Sequence, residues 1–198
     1  MEGVAGCGEA WGIVLVEGEV RSFEGGLFFT SVFETKMNEE KLIPELADWR
    51  KLNGDQFSIE DWVVCEGDIK FAIGYSILFW PEFIEYDDCV ILKSHFDSNN
   101  FESWKNAEYV INYAQIESVL NHIHILDLFG ADEKKNEVNY EQILFLGNRL
   151  CEIYKAKLKL EYPDKKFTFD FNGNEKLEVL DEYEITFFQE KNVTRKTK

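Results

Sequence analysis

Two periods of hydrophobic residues along this chain predict its helices and strands. After Asn139, which suits a helix N-cap with Gln142 at the reciprocal position of a capping box, core-facing residues recur at helical spacing. This stripe consists of Ile143, Gly147, Leu150, Tyr154 and Leu158. Alternation of polar and apolar residues then predicts a half-buried strand at Phe167–Phe171 and a final strand at residues 183–188. The last third of the chain therefore combines one long helix with strands.

Capping residues and helix-stopping residues predict shorter helices upstream. Pro44 suits a first helical turn, and Asn53-Gly54 suits the end of that helix. The side chains predicted to share one face between them are Leu46, Trp49 and Leu52. Ser58 with Asp61 has the spacing of a second capping box. These signals predict two short helices before residue 68.

The middle of the chain contains a predicted hairpin and further capped helices. Phe83–Tyr86 and Cys89–Leu92 are short apolar runs joined by the turn-forming pair Asp87-Asp88. Residues 98–100 and Asn112 each suit the start of a short helix. We therefore expect a hairpin followed by two helices between residues 83 and 121.

Residues 69–79 fit two structures. Their large residues alternate along the sequence, which suits a strand, whereas Ala72, Gly74 and Ser76 suit a buried helix that Pro81 ends. Periodicity does not separate these alternatives, and we favour the helix.

Strands are segregated from helices in this pattern, so we predict an α+β fold with a mostly antiparallel sheet packed against several helices. Residues 1–36 contain seven of the 13 glycines and two short apolar runs, which suits an added arm or an edge hairpin. Residues 37–190 then form the single α+β domain, and we expect it to fold without the first 36 residues. Residues 191–198 are predicted to be a basic, flexible tail.

The charge of the chain limits its partners. Asp and Glu number 38 against 21 Lys and Arg, which gives a formal net charge of −17. So negative a chain disfavours nucleic acid and anionic membranes as direct partners. It suits either solubility alone or a basic protein partner, and the sequence leaves the oligomeric state open.

The compartment is predicted from the N-terminus and from the cysteines. The first basic residue is Arg21, so no secretory signal is expected, and no apolar run approaches the ~18 residues of a membrane span. Four scattered cysteines without a Cys-x-x-Cys pair are interpreted as small core residues: Cys7, Cys65, Cys89 and Cys151. These features predict a cytoplasmic protein.

Candidate chemistry is confined to one histidine cluster. His122, His124 and Asp127 form a His-x-His-x-x-Asp sequence that could supply ligands for a divalent metal in a hydrolytic site. The two histidines would have to share one face of a strand, however, and the pattern places them at the end of a helix. We therefore expect no tightly bound metal. No phosphate-binding loop or dinucleotide fingerprint is present, so no cofactor is predicted.

The most distinctive segment is residues 78–92, which read Leu-Phe-Trp-Pro-Glu-Phe-Ile-Glu-Tyr-Asp-Asp-Cys-Val-Ile-Leu. This segment resembles a Phe-Trp-Pro-x-Phe-Val-x-x-Asp-Gly-x-Val segment of uncharacterised bacterial proteins, and it departs from that pattern at Asp88, where glycine is expected. The resemblance implies no activity. The segment combines carboxylates with aromatic anchors, the composition of a protein-binding face. The predicted binding residues are Trp80, Glu82, Glu85, Tyr86, Asp87, Asp88 and Trp104.

The overall character is similar to that of small acidic bacterial proteins of the immunity or mobile-cassette type. That resemblance implies a non-enzymatic protein that recognises a basic protein partner through an acidic, aromatic face, which is our leading hypothesis. The second is a small metal-assisted hydrolase centred on His122, His124 and Asp127. The third is a small-molecule binder with an aromatic pocket, which an aromatic content of 15% permits.

Overall fold

The protein is described from a computed structural model over residues 38–129 and 138–197, in which helices pack against two small antiparallel sheets. This arrangement confirms the predicted α+β fold. The helices are α1 Glu39–Leu42, α2 Leu46–Asn53, α3 Ile59–Glu66, α4 Ile69–Phe79, α5 Ser98–Lys105, α6 Tyr113–Leu120 and α7 Tyr140–Glu161. The strands are β1 Phe83–Tyr86, β2 Cys89–Leu92, β3 Ile123–His124, β4 Phe167–Phe171 and β5 Glu184–Gln189.

Side-chain caps start five of the seven described helices, and three of these caps, at α3, α6 and α7, are the predicted ones. Both capping boxes are present, Ser58 with Asp61 at α3 and Asn139 with Gln142 at α7. Each N-cap side chain accepts a hydrogen bond from a first-turn N–H that has no partner inside the helix. Helix α5 is capped by Asp97, one residue before the predicted cap.

In the N-terminal half, the structure confirms one prediction, a helix at residues 69–79, and contradicts another, the apolar face of α2. Residues 69–79 form helix α4, as favoured, with Asp68 as the N-cap and Pro81 shortly after its end. The predicted shared face of Leu46, Trp49 and Leu52 is wrong, because Leu46 is buried whereas Leu52 is 84% exposed. Helix α2 begins only at Leu46, and Trp49 instead stacks on the ring of Phe57 from the loop that follows.

The first sheet is the hairpin of β1 and β2, which pair in register from Phe83 opposite Leu92 to Tyr86 opposite Cys89. The two turn residues, Asp87 and Asp88, have φ values of 46° and 63°. Two consecutive left-handed residues match the twist of a two-residue hairpin, and aspartate tolerates this conformation better than most residues. The predicted hairpin is therefore confirmed.

The second sheet has the strand order β3-β5-β4, with both pairs antiparallel. Strand β5 is central, and it begins one residue later than the predicted strand at 183–188. Strand β3 is only two residues long, so it covers Glu184 and Ile185 and leaves the rest of that side of β5 without a strand partner.

Strand β2 is buried on both faces and joins two hydrophobic clusters. Val90 and Leu92 point into a cluster formed with helix α7 and strands β3 and β5. Cys89 and Ile91 point the other way, into a cluster with helices α5 and α6. Alternate side chains of a strand face opposite directions, so this one strand contributes to both clusters.

Helix α6 fills the gap between the two sheets with polar side chains. The carboxylate of Glu117, which is fully buried, accepts hydrogen bonds from the backbone N–H of Val90 at 2.8 Å and of Gln189 at 2.8 Å. One turn later, Asn121 accepts from the N–H of Leu92 at 2.9 Å and donates to the carbonyl oxygen of Phe187 at 3.2 Å. Glu117 on α6 and Asn121, the residue that caps the end of α6, therefore bond the open edges of β2 and β5, where a strand is missing.

The C-terminal segment is docked on the domain, which differs from the flexible tail predicted for residues 191–198. Asn192 is fully buried and donates to Glu117 at 2.9 Å. Arg195 pairs with Asp87 at 2.9 Å, and Thr197 donates to the carbonyl oxygen of Val110 at 2.8 Å. Sequence polarity suggested a solvated tail, but these polar groups bind buried and charged partners that only the fold brings together.

The arm or hairpin predicted for residues 1–36 lies outside the described residues. Among the cysteines that are described, all are free thiols, and Cys65 is exposed whereas Cys89 and Cys151 are buried. In the described parts of the chain, no helix combines the length and apolar character needed to cross a membrane.

Replacing Glu117 tests whether its carboxylate joins the sheets. In Glu117→Gln an amide NH₂ would face N–H donors, so we expect the free energy of unfolding to fall by about 2–4 kcal/mol. Urea denaturation followed by circular dichroism measures this loss. The matched control is Glu108→Gln at an exposed position, for which a change within about 0.5 kcal/mol is expected. Equal stability of the two variants would contradict the assigned role.

Removing the C-terminal segment tests its docking. A chain that ends at Gln189 loses the donor to Glu117 and the cation beside Asp87, and we expect it to lose at least about 2 kcal/mol of stability. A chain that lacks only Lys198 is the control and should melt like the full-length protein. If both truncated chains melt alike, the segment is not a structural part of the domain.

Candidate functional site

The hairpin predicted as an acidic binding face has its carboxylates in ion pairs within the domain. Glu82 pairs with Lys93. Glu85 lies 2.8 Å from the ammonium of Lys165, and Asp88 lies 2.6 Å from that of Lys191. The hydrogen bond from Lys191 lowers the pKa of Asp88. These contacts give the carboxylates of the hairpin a structural role in holding the segments around it.

Asp87 is the most highly connected of these carboxylates. It accepts hydrogen bonds from Lys105 at 2.8 Å, from Arg195 at 2.9 Å and from the hydroxyl of Tyr113 at 3.1 Å. The guanidinium of Arg195 also stacks 3.5 Å above the ring of Tyr113. Partial burial acts to raise the pKa of Asp87, but the hydrogen bonds from its three partners outweigh burial and lower it. The turn thus fixes helices α5 and α6 and the C-terminal segment.

The aromatic residues predicted for the same face are partly engaged in the core. Tyr86 is half-buried, with its ring 4.9 Å from that of Phe101. Trp104 is half-buried and lies edge-on to Tyr109. Trp80 is about half exposed, and the ammonium of Lys157 lies 4.9 Å from its ring centroid. Of the three predicted aromatic anchors, Trp80 therefore presents the most surface to solvent.

A large apolar surface lies elsewhere, on helices α3 and α4. Every residue from 63 to 77 is exposed, although this stretch is rich in large hydrophobic side chains. We call this surface the α3–α4 face; its exposed apolar members are Val63, Val64, Ile69, Phe71, Ile73, Tyr75 and Ile77. Among the described residues, the C-terminal half of α4 contacts the core: Tyr154 donates to the carbonyl oxygen of Leu78 at 2.9 Å, and the ring of Tyr75 lies 5.8 Å from that of Phe129. The sequence pattern favoured a buried helix for residues 69–79, and that burial is wrong, because residues 69–77 are exposed.

The histidine cluster differs from the predicted arrangement. Helix α6 ends at Leu120, and His124 lies in strand β3 instead of at a helix end. Ile123 is buried between the two histidines, which therefore share the opposite face of the chain. The Nε2 atoms of His122 and His124 lie 2.9 Å apart. The two histidines therefore share one face, which is the arrangement that a metal site formed by both of them requires.

The third member of this cluster is Glu184, which the sequence analysis did not single out. Glu184 is directly opposite His124 in the pairing of β3 with β5, and its Oε2 lies 3.1 Å from Nε2 of His122. Ligand atoms of these three residues all lie within 4.8 Å of one another. Asp127, the third predicted ligand, lies in the 3-10 turn after β3 and is not part of this group. Cross-strand pairing brings Glu184 close, which no sequence spacing reveals.

A cleft lies between the end of α4, the end of β2 and helix α7. Its volume is about 910 Å³, within the usual range for small-molecule sites. Trp80, Tyr154 and His95 line it together with aliphatic side chains such as Leu92. The Nδ1 atom of His95 is 3.1 Å from the carbonyl oxygen of Leu120, so the ring of His95 is held by a hydrogen bond to the end of α6.

Comparison with protein families, with curated proteins and with solved structures finds no match to this chain.

Charge removal at Asp87 tests the structural role of the hairpin turn. Asp87→Asn keeps a residue that tolerates the left-handed turn but weakens both ion pairs, and we expect a loss of about 1–2 kcal/mol of stability at pH 7. The pKa of Asp87 is lowered by folding from about 3.8, so its contribution is complete above that value and is lost as the pH falls through the folded-state pKa. The difference in free energy of unfolding between Asp87→Asn and the native protein should therefore become smaller as the pH falls below about 3.8.

Thermal unfolding at a series of pH values measures this difference. Asp170→Asn, at an exposed position on β4, is the control and should stay within about 0.5 kcal/mol of the native protein throughout. A stability difference for Asp87→Asn that is as large in acid as at pH 7 would show that charge is not its cause.

Proposed function

We propose that this protein is a protein-binding module whose α3–α4 face takes a basic protein partner. The observation that carries this proposal is the exposure of helix α4, whose large apolar side chains lie in solvent along most of its length. Large apolar side chains exposed in such number on one helix commonly mark an interface with another protein. The proposal keeps the predicted class of partner and moves the contact from the hairpin to the α3–α4 face.

The charges around the face favour a basic partner. The exposed carboxylates on and beside α3 and α4 are Glu60, Asp61, Glu66 and Asp68, against the single cation Lys70. Within the described residues, no cation forms an ion pair with any of these four carboxylates. An apolar centre with an acidic rim is complementary to a partner surface edged with Lys and Arg, and opposite charge accelerates the encounter.

A second copy of the chain is a less favourable occupant. Two copies would each bring a net charge of −17, and their acidic rims would meet across the interface. The cleft beside Trp80 gives weaker support to a small-molecule function, because Trp80 and Tyr154 are the only large aromatic rings among its described lining residues. The metal-assisted hydrolase would need substrate-binding groups in addition to a metal ion. Of these alternatives, a basic protein is the occupant of the α3–α4 face that the surrounding charges favour.

The α3–α4 face can be tested by placing a charge on it. Ile73 and Ile77 are 60% and 66% exposed, so the double variant Ile73→Glu/Ile77→Glu should keep its stability within about 1 kcal/mol. The matched control is Ile111→Glu, at a position 56% exposed on another part of the surface. Each protein is immobilised and exposed to extract of the source cells, and bound proteins are quantified by mass spectrometry at low and high salt.

We expect at least one basic protein to bind the native chain and Ile111→Glu but not the double variant, with weaker binding at high salt. The interaction is then repeated with that partner in purified form. Retention of the same proteins by the double variant would overturn the proposal. So would self-association of the native chain that the double variant lacks, measured by sedimentation, because the occupant would then be a second copy. A stability loss above about 2 kcal/mol would show that the chain itself covers the face.

A further inference from the structure

The histidine cluster supports a second function that is independent of the α3–α4 face. We propose that His122, His124 and Glu184 form a binding site for a divalent transition-metal ion of the zinc type. Two imidazoles and one carboxylate are a common protein ligand set for zinc, and three protein ligands leave at least one position open for water or a substrate. The hydrogen-bonding pattern of the three side chains, the spacing of their ligand atoms and their placement by the backbone all favour an ion at this position.

The orientation of His124 suits metal binding. Its Nδ1 lies 2.9 Å from the carbonyl oxygen of Asp181, and a carbonyl can only accept, so Nδ1 carries the hydrogen. In the neutral ring, Nε2 of His124 then has its lone pair directed at the cluster. A backbone carbonyl that fixes the tautomer of a histidine in this way is the usual outer contact of a metal ligand.

The cluster contains more hydrogen-bond acceptors than donors. When both rings are neutral, the only hydrogen directed into the cluster is the one on Nε2 of His122, and two acceptors compete for it. These acceptors are Nε2 of His124 at 2.9 Å and Oε2 of Glu184 at 3.1 Å. A cation would instead accept all three lone pairs at once, once the ring of His122 presents Nε2 without its hydrogen.

The spacing of the ligand atoms also fits an ion. With bonds of about 2.0–2.1 Å to each nitrogen, a nitrogen–nitrogen separation of 2.9 Å corresponds to an angle of about 90° at the metal. A tetrahedral angle needs a separation of about 3.4 Å, which small side-chain rotations supply. Side chains of His122 and Glu184 are 33% and 37% exposed, so an ion could enter from solvent and keep an open position.

Zinc and cobalt titrations test this site on the full chain. We expect one Zn²⁺ per chain in calorimetry, with a dissociation constant in the micromolar range, and visible absorption of bound Co²⁺ typical of nitrogen and oxygen ligands. Glu184→Gln, His122→Ala and His124→Ala should each weaken zinc binding at least about tenfold. The matched control, Glu178→Gln, removes an exposed carboxylate that is not part of the cluster and should bind like the native chain. Asp127→Asn tests the ligand that the sequence suggested and should also bind normally.

A second measurement does not depend on variants that keep their fold. Long-range nitrogen NMR spectra of the native chain should show zinc-dependent shifts at Nε2 of His122 and His124, with His95 unchanged as an internal control. Absence of saturable zinc binding would overturn the proposal. So would binding that survives in Glu184→Gln and both alanine variants, or zinc-dependent shifts confined to other residues, because the ion would then bind to general acidic surface or to a cysteine.

Discussion

Glu117 and Asn121 hold together two sheets that share no hydrogen-bonded strands. Strand β3 is too short to cover β5, and β2 has an open edge, so backbone N–H and C=O groups of both would be buried without partners. Glu117 on α6 and Asn121 at its C-terminal cap supply those partners. Burial raises the pKa of Glu117, and hydrogen bonds from Gln189, the Val90 backbone and Asn192 act against it by stabilising the carboxylate.

The same polar network extends to the surface and gives part of the acidic composition a structural role. Asn192 joins the C-terminal segment to Glu117, and three residues later Arg195 reaches Asp87 in the hairpin turn. The hairpin, helix α6 and the end of the chain therefore stabilise one another. Carboxylates near the hairpin are paired with cations, whereas those of the α3–α4 face form no ion pair with any cation in the described parts of the chain. Whether a carboxylate has a cation beside it therefore says more about its role than the net charge of the chain does. Paired carboxylates stabilise the fold, and unpaired ones remain available to a partner of opposite charge.

The α3–α4 face and the histidine cluster depend on different features of the fold. The face requires that α4 contact the core near its C-terminal end, through Tyr154 and Phe129, while most of its apolar side chains remain exposed. The cluster needs the registration of β3 against β5, which sets Glu184 opposite His124. The proposed occupant of the face is a protein and that of the cluster is a single cation, and the two sites lie on different elements. Each can therefore be altered without changing the other.

Sequence alone determined the local structure, because capping, turn and periodicity signals act within a few residues. The capping boxes at Ser58 and Asn139, the Asp87-Asp88 hairpin, helix α7 and the α+β class were all predicted from such signals. Only the tertiary structure decided which polar groups meet: Glu117 with Gln189, Asp87 with Arg195, and His124 with Glu184. It also decided that α4 is exposed. Pairs separated by 60 or more residues, and the burial of a helix face, depend on how elements pack, and no local pattern encodes that packing.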